Sequence, residues 1–274
     1  MRDQRVAWLV VAVVAVATLV PALTVARPAN EIPVESSSAS PNTLLDPGAE
    51  AWGEVPPVEV ALTSAPSTVP NADATSIESV SVQAARTDGR LLVRLSWADA
   101  TNDSSSDGPR AFEDAAAVQV PVNSSARPAI AMGSTRNLVN VWYWHGNGGN
   151  QELLAGGPGS TTQFDESVLQ TQRQYRDGRW TVVYSRPLES QTTNSSHLAV
   201  DHDVDVAFAV WNGSNMERSG RKSVSDWHHF AFTTGVQGPP WEAILWTVAG
   251  LAIGAVVLLS GHAVWKTREG EHGD

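Results

Sequence analysis

The chain of 274 residues contains no cysteine. This excludes disulfide staples, thiolate-held iron–sulfur clusters, covalently attached c-type haem and cysteine nucleophiles, so any redox chemistry must use a group held by other ligands. Lysine is nearly absent: only Lys222 and Lys266 occur, and Lys266 follows a C-terminal apolar run. Beyond the initiator, methionine is limited to Met132 and Met216. Between residues 30 and 238, 24 acidic residues stand against 13 basic ones. Such a balance lacks the basic footprint of nucleic-acid binding. It suits a surface that stays hydrated in high salt, as in a halophile. No G-x-S-x-G or H-E-x-x-H pattern is present, and no glycine motif closes with Lys and Ser/Thr, so hydrolase and phosphate-loop chemistries have no support.

What is present begins with two long apolar runs. Val6–Val25 follows Arg2 and Arg5 and reads as a signal peptide or signal anchor within residues 1–27. Ala243–Val264 is flanked by Trp241, Trp246 and Trp265 and followed by Lys266 and Arg268. It reads as a transmembrane helix over 241–265 with residues 266–274 in the cytoplasm. The expected location is therefore the cell membrane, with the main domain on the extracytoplasmic side. Four Asn-x-Ser sequons, at Asn102, Asn123, Asn194 and Asn212, are compatible with export.

Residues 28–50, rich in serine and proline, read as a tether ahead of a domain at 51–235. Within that domain the hydrophobic period is two. Arg90–Trp97, Ala115–Val122, Leu138–Trp144, Arg179–Tyr184 and Val204–Trp211 all read as strands. Asp88-Gly89 and Asp177-Gly178 each sit between strand-like flanks, a strong hairpin signal. Glu166–Arg173 is the best short helix candidate. The expected fold is all-β, an antiparallel β-sandwich with long loops, plus the two terminal apolar helices.

Three features invite a chemical reading. In Asp201-His202-Asp203-Val204-Asp205 the aspartates share one strand face, but a solvated acidic face explains them in a chain of this charge. His228 and His229 point to opposite faces and do not converge. Met132 is followed by Gly133 and then by the aromatic Trp142-Tyr143-Trp144. A thioether is a soft ligand for low-spin haem iron, Gly133 admits a flat ring near the backbone, and Trp142 with Trp144 could wall an apolar pocket. A plain core methionine is the alternative. Lys222 lies between Trp211 and Trp227; it reads as a surface charge by residue type, or as an iron ligand if buried and neutral.

Six ordered segments carry a resemblance over about residues 52–230. They are Trp52 with Val58–Leu62, Leu95-Ser-Trp97-Ala-Asp99-Ala-Thr101 and Phe112-Glu-Asp114 through Pro121. Then come Met132-Gly133 leading to Val139–Trp144, Asp177-Gly178-Arg-Trp180 through Leu188, and Phe208–Ser214 ahead of Lys222–Trp227. Together they resemble the haem b-binding γ subunit of type II molybdoenzymes of the dimethyl sulfoxide reductase family, the ethylbenzene dehydrogenase and dimethylsulfide dehydrogenase type. The resemblance implies a β-sandwich with one non-covalent haem b, and Met132 and Lys222 at the positions of the axial ligands. It implies an electron-transfer subunit rather than a catalytic one, partnered by an iron–sulfur subunit and a molybdopterin subunit. The C-terminal membrane run departs from that pattern and suggests exchange with a quinol-linked or Rieske-type donor, as in outward-facing nitrate reductase systems of haloarchaea. The competing expectation is a carbohydrate- or ligand-binding β-sandwich that stacks sugars on Trp142, Trp144 and Trp180.

Overall fold

The computed structural model describes residues 30–232, apart from 106, 124–126, 190–193, 197 and 199–201, together with 249, 250 and 260. The strands are β1 (Glu31–Ser36), β2 (Val58–Ala61), β3 (Thr63–Ser64), β4 (Ser79–Thr87), β5 (Arg90–Ala98), β6 (Ala115–Pro121) and β7 (Val139–His145). They continue with β8 (Asn150–Ala155), β9 (Thr161–Gln163), β10 (Gln170–Arg176), β11 (Arg179–Pro187), β12 (Val204–Trp211), β13 (Ser223–Val224) and β14 (His228–Ala231). One short helix, α1 (Pro41–Leu45), and a 3₁₀ turn at Glu50–Glu54 precede β2. Ser40 caps α1 by accepting from the Thr43 N–H at 3.2 Å, with Pro41 preset for the first turn.

All fourteen strands belong to one curled, mixed sheet. Its first half runs β10-β11-β5-β4 and its second β14-β12-β6-β7-β8-β9. β1 joins the halves and departs from the expected all-antiparallel pairing. Its Glu31–Pro33 part pairs in parallel with β14, and its Val34–Ser36 part pairs in parallel with β4. The change of partner falls at Pro33–Val34; Pro33, having no N–H, cannot donate to either ladder. The segment expected as a tether therefore holds the two halves together. Its serine- and proline-rich flanks hide a short alternation in which Ile32 and Val34 are buried. Glu166–Arg173 is not a helix either: β10 starts at Gln170 and pairs along its length with β11. β10 is a polar edge strand, so it lacks the one-sided apolar pattern by which strands are recognised.

The hairpins at Asp88-Gly89 and Asp177-Gly178 form as expected, with φ of +46° and +71° in the first and +53° and +71° in the second. Both central residues take the left-handed conformation that matches the strand twist.

The two halves share one core. Val82, Val93, Leu95, Trp97, Trp180 and Tyr184 from the first meet Ala116, Val118, Trp142, Trp144, Phe208 and Phe230 from the second. Trp144 packs edge-on against Trp97 at 6.2 Å and against Trp180 at 5.0 Å, and the Tyr184 hydroxyl donates to the Ala116 carbonyl at 2.8 Å. Asp114 ties strand ends together, accepting from the Gly213 and Asp103 N–H groups and from Trp180 Nε1, each at 2.8 Å. Burial first, and then the charge of neighbouring Asp99, raise its pKa to about 7. Asp99 Oδ2, also buried, has no hydrogen-bond partner among the described residues.

The outer faces of the halves differ. Leu44, Trp52 and Val55 seal the first half over Ala85, Leu92 and Val183. The second half carries an apolar cluster around Ala115, Ala117 and Trp211. Among the described residues no helix is long and apolar enough to cross a membrane. The runs Val6–Val25 and Ala243–Val264, on which those expectations rest, lie outside the described residues but for 249, 250 and 260.

Candidate functional site

Strand alternation builds a cavity on the outer face of the second half. In β6, Ala116, Val118 and Val120 enter the core, so Ala115, Ala117 and Gln119 face outward. Register then sets one row, Ala209, Ala117, Tyr143 and Gln151, beside a second, Ala207, Gln119, Val141 and Leu153. Four alanines in neighbouring strands make a low floor. Loops carrying Ala65–Ser67, Ile130–Met132, Pro158-Gly159 and Glu217–Lys222 rise around it. The enclosed volume is about 640 Å³, within the range of small-molecule and cofactor sites.

Met132 enters from a tight loop. It takes the left-handed conformation at φ +63°, unusual for a side chain of its size, and Gly133 follows at +72°. A Cβ at Gly133 would meet the Asn137 carbonyl oxygen at 2.5 Å, so only glycine fits this turn. The Met132 N–H donates to Ile130 O at 2.8 Å, Gly157 N–H donates to Met132 O at 2.9 Å, and Trp227 Nε1 donates to Pro128 O at 3.1 Å. The strained backbone is thus held from three sides.

Lys222 enters from the opposite loop, just ahead of β13. Its carbonyl accepts from the Ala65 N–H at 2.9 Å. Its Nζ lies 4.9 Å from the centre of the Trp211 ring and 3.8 Å from Met132 Sδ. No carboxylate among the described residues is within ion-pair distance of it. Burial pushes the ammonium down to about 8, toward the neutral amine. Tyr143 is enclosed as well; burial, followed by the charge of Glu113, pushes its phenol up to about 12, which keeps it neutral. The cavity therefore sets a soft thioether against an amine whose pKa is lowered by burial, above an apolar floor, two donors of the kind that ligate a transition metal.

Other sequence expectations fare differently. Trp142 and Trp144 do not wall the cavity; they are 0% and 1% exposed and lie in the shared core, one strand phase away. Tyr143 and Val141 take that place. With Trp180 at 2% exposure, all three tryptophans proposed for sugar stacking are inaccessible. Asp205 pairs with Arg127 at 2.6 Å and Asp203 with His229 at 3.8 Å, while Asp201 lies outside the described residues. His145 bonds Glu113 at 2.5 Å and stacks on Tyr143. Met216 is exposed and does not line the cavity. The floor alanines, Tyr143, Trp211 and Arg218 were not anticipated. The run Ala115-Ala116-Ala117 was their one signal, since small residues in a strand mark a close approach.

Fold and cavity together define an all-β domain with an apolar cavity lined by a thioether and an amine. The chain belongs to the ethylbenzene dehydrogenase family, whose pattern matches residues 49–167 and 158–223. It is 60% identical over 266 residues to a protein of Haloferax mediterranei named as a respiratory nitrate reductase heme subunit, covering 97% of this chain and 96% of that one. It is 33% identical to the chlorate reductase subunit gamma of Ideonella dechloratans, over 71% of this chain and 82% of the relative. To the dimethylsulfide dehydrogenase subunit gamma of Rhodovulum sulfidophilum it is 35% identical, over 67% and 73%. These relatives are named as heme or gamma subunits of oxidoreductases, not as catalytic subunits.

Proposed function

We propose that this chain is the haem b-carrying electron-transfer subunit of a multisubunit molybdoenzyme, with Met132 and Lys222 as the axial ligands of one non-covalent haem. The observation that carries this reading is the approach of Lys222 Nζ to Met132 Sδ, 3.8 Å apart inside an apolar cavity of about 640 Å³. The residues present fit the group: a half-buried lysine with no counter-ion among the described residues, a thioether on a rigid loop, and an alanine floor on which a planar ring can lie. When bound, haem supplies a one-electron couple. Met132 offers a neutral sulfur ligand, which favours a higher potential. Lys222 offers its lone pair once deprotonated, and its burial already biases it that way. Trp211 and Tyr143 flank the site and limit the access of water. With Met132 and Lys222 both holding the iron, no position would be left for substrate, so the subunit would relay electrons and leave bond chemistry to its partner.

The names of the relatives support a molybdopterin catalytic subunit as that partner. An iron–sulfur subunit is the natural neighbour for exchange, with a quinol-linked or Rieske-type carrier on the other side. Two half-sheets contributing to one core support the β-sandwich reading. The apolar runs support a signal or anchor at 1–27 and a membrane helix at 241–265, with residues 266–274 cytoplasmic and the domain outside. The acidic surface supports a high-salt source.

Expression of the full chain with haem supply tests the proposal. A six-coordinate, low-spin b-type spectrum is expected, and Met132→Ala or Lys222→Ala should leave five-coordinate iron or release haem. A colourless, folded protein would refute the function. Parent spectra in both variants would refute the ligand pair.

A further inference from the structure

The cavity carries a second cation at its rim, and nothing in the ligation of iron requires it. Arg218 lines the cavity and is exposed, and its guanidinium carbon lies 4.4 Å from the centre of the Phe112 ring. It forms no ion pair or side-chain hydrogen bond with any described residue. Several other arginines of the domain have partners: Arg94 bonds Gln83 and Pro47, Arg127 pairs with Asp205, Arg186 with Glu152, and Arg221 bonds the Ala74 carbonyl. Both acids that line the cavity are already taken. Glu113 bonds His145, and Glu217, 1% exposed, accepts from Ser76, from the Asn212 N–H and from the Asn215 amide. With both acids engaged, Arg218 stands as an uncommitted positive charge at the cavity in a chain of net charge −11.

Arg218 is also presented from a fixed frame. Buried Glu217 pins the loop on one side, and Arg221 pins it on the other through Ala74. Trp211 Nε1 donates to the Ser219 carbonyl at 3.2 Å, tying the loop to the cavity wall. Phe112 holds the guanidinium on its ring face, which reduces the freedom lost when an anion binds.

We propose that Arg218 is the positioning residue for the carboxylate end of the macrocycle, pairing with a propionate at the cavity mouth and so fixing the ring's rotation about the Met132–Lys222 axis. The inference rests on the haem reading above and assigns the orientation of the ligand within that site. Arginine suits the task because its planar fork meets a carboxylate with two hydrogen bonds. A cation beside a propionate also favours the reduced iron.

The test uses the full chain loaded either with haem b or with its dimethyl ester, which has the same ring and iron but neutral ends. Haem loss to an acceptor apoprotein and the reduction potential are both measured. The parent chain should hold haem about fivefold longer than the ester, the scale of an exposed, well-oriented ion pair. In Arg218→Ala the two should leave at similar rates, Arg218→Lys should restore part of the difference, and the potential should fall with the loss of the cation. Low-spin spectra in all variants would show that the axial pair and the fold persist. An ester ratio in Arg218→Ala equal to that of the parent, with the low-spin spectrum intact, overturns this inference alone. Failure of the parent to take up either form overturns it together with the haem reading.

Discussion

Neighbouring alanines in β6 should respond with opposite signs to the same substitution. Ala117 is 4% exposed and belongs to the cavity floor, whereas Ala116 is fully buried on the other face, in the shared core. Leucine adds three carbons to either. At Ala117 they enter open volume, where about 0.8 kcal/mol per buried carbon sets a ceiling near ~2.4 kcal/mol. Ordering the leucine side chain costs roughly 0.5–1 kcal/mol. The cavity is open on one side, so a net gain of about 1 kcal/mol is expected for the ligand-free chain. At Ala116 the same atoms enter the closed core, across from Trp144 and Val210 in the neighbouring strands, and overpacking should cost about 1–3 kcal/mol. Urea unfolding of the ligand-free chain, followed by tryptophan fluorescence, reads both effects. Haem loading should fall sharply in Ala117→Leu despite its greater stability, because the added side chain would rise into the cavity proposed to hold the ring. Equal destabilisation by the two variants, or full haem loading of Ala117→Leu, would refute the assignment of the floor.

Glu152→Gln should cost about 3–5 kcal/mol, since it leaves Arg186 charged and buried between the half-sheets without its partner at 2.9 Å; denaturant midpoints check this, and a loss under 1 kcal/mol would contradict it. The raised carboxyl of Asp114, beside Asp99 and Asp103, binds a proton in the fold that the unfolded chain releases above the usual carboxylate range, so this contribution to stability is lost as pH rises to about 7. Asp99→Asn, which removes the neighbouring charge, should reduce the difference in unfolding free energy between pH 5 and pH 8; an unchanged slope would rule the pair out as its source. Gly133→Ala should cost about 1–3 kcal/mol through its positive φ and the close Asn137 carbonyl, with weaker haem retention as the spectroscopic readout and parental stability as the refuting result.

The parts of the fold legible in the sequence are those with a local cause. An Asp-Gly pair between alternating flanks needs only its own residues to turn, and both hairpins formed where those pairs stood. β1 was illegible because a strand of six residues beside serines and prolines gains its order from β4 and β14, both distant in sequence. β10 was mistaken for a helix because an edge strand buries neither face fully. The tryptophans of β7 show a different failure. Period two says that Trp142 and Trp144 share a face but cannot say which side that face meets, and their size suits the core better than a rim. Met132 and Lys222 lie 90 residues apart. No periodicity links them; scarcity drew attention to each, and the ordered motifs around them supplied the connection. Arg218 gave no sequence signal at all, because an uncommitted charge is defined by the partners it lacks in space.

The split pairing of β1 fixes the order in which the molecule can be finished. Glu31–Pro33 must find His229–Ala231, so the first strand of the domain waits for the last before the seam closes. A closure spanning nearly the whole domain is a high-contact-order event and a slow one. Lys222 arrives in the same late stretch, between β12 and β14. The half-sheets can grow from their hairpins early, but both donor atoms come together only once the late stretch around Lys222 has paired with Ala65 and β3. A chain truncated before Lys222 would keep the floor and the methionine but lose the second donor atom.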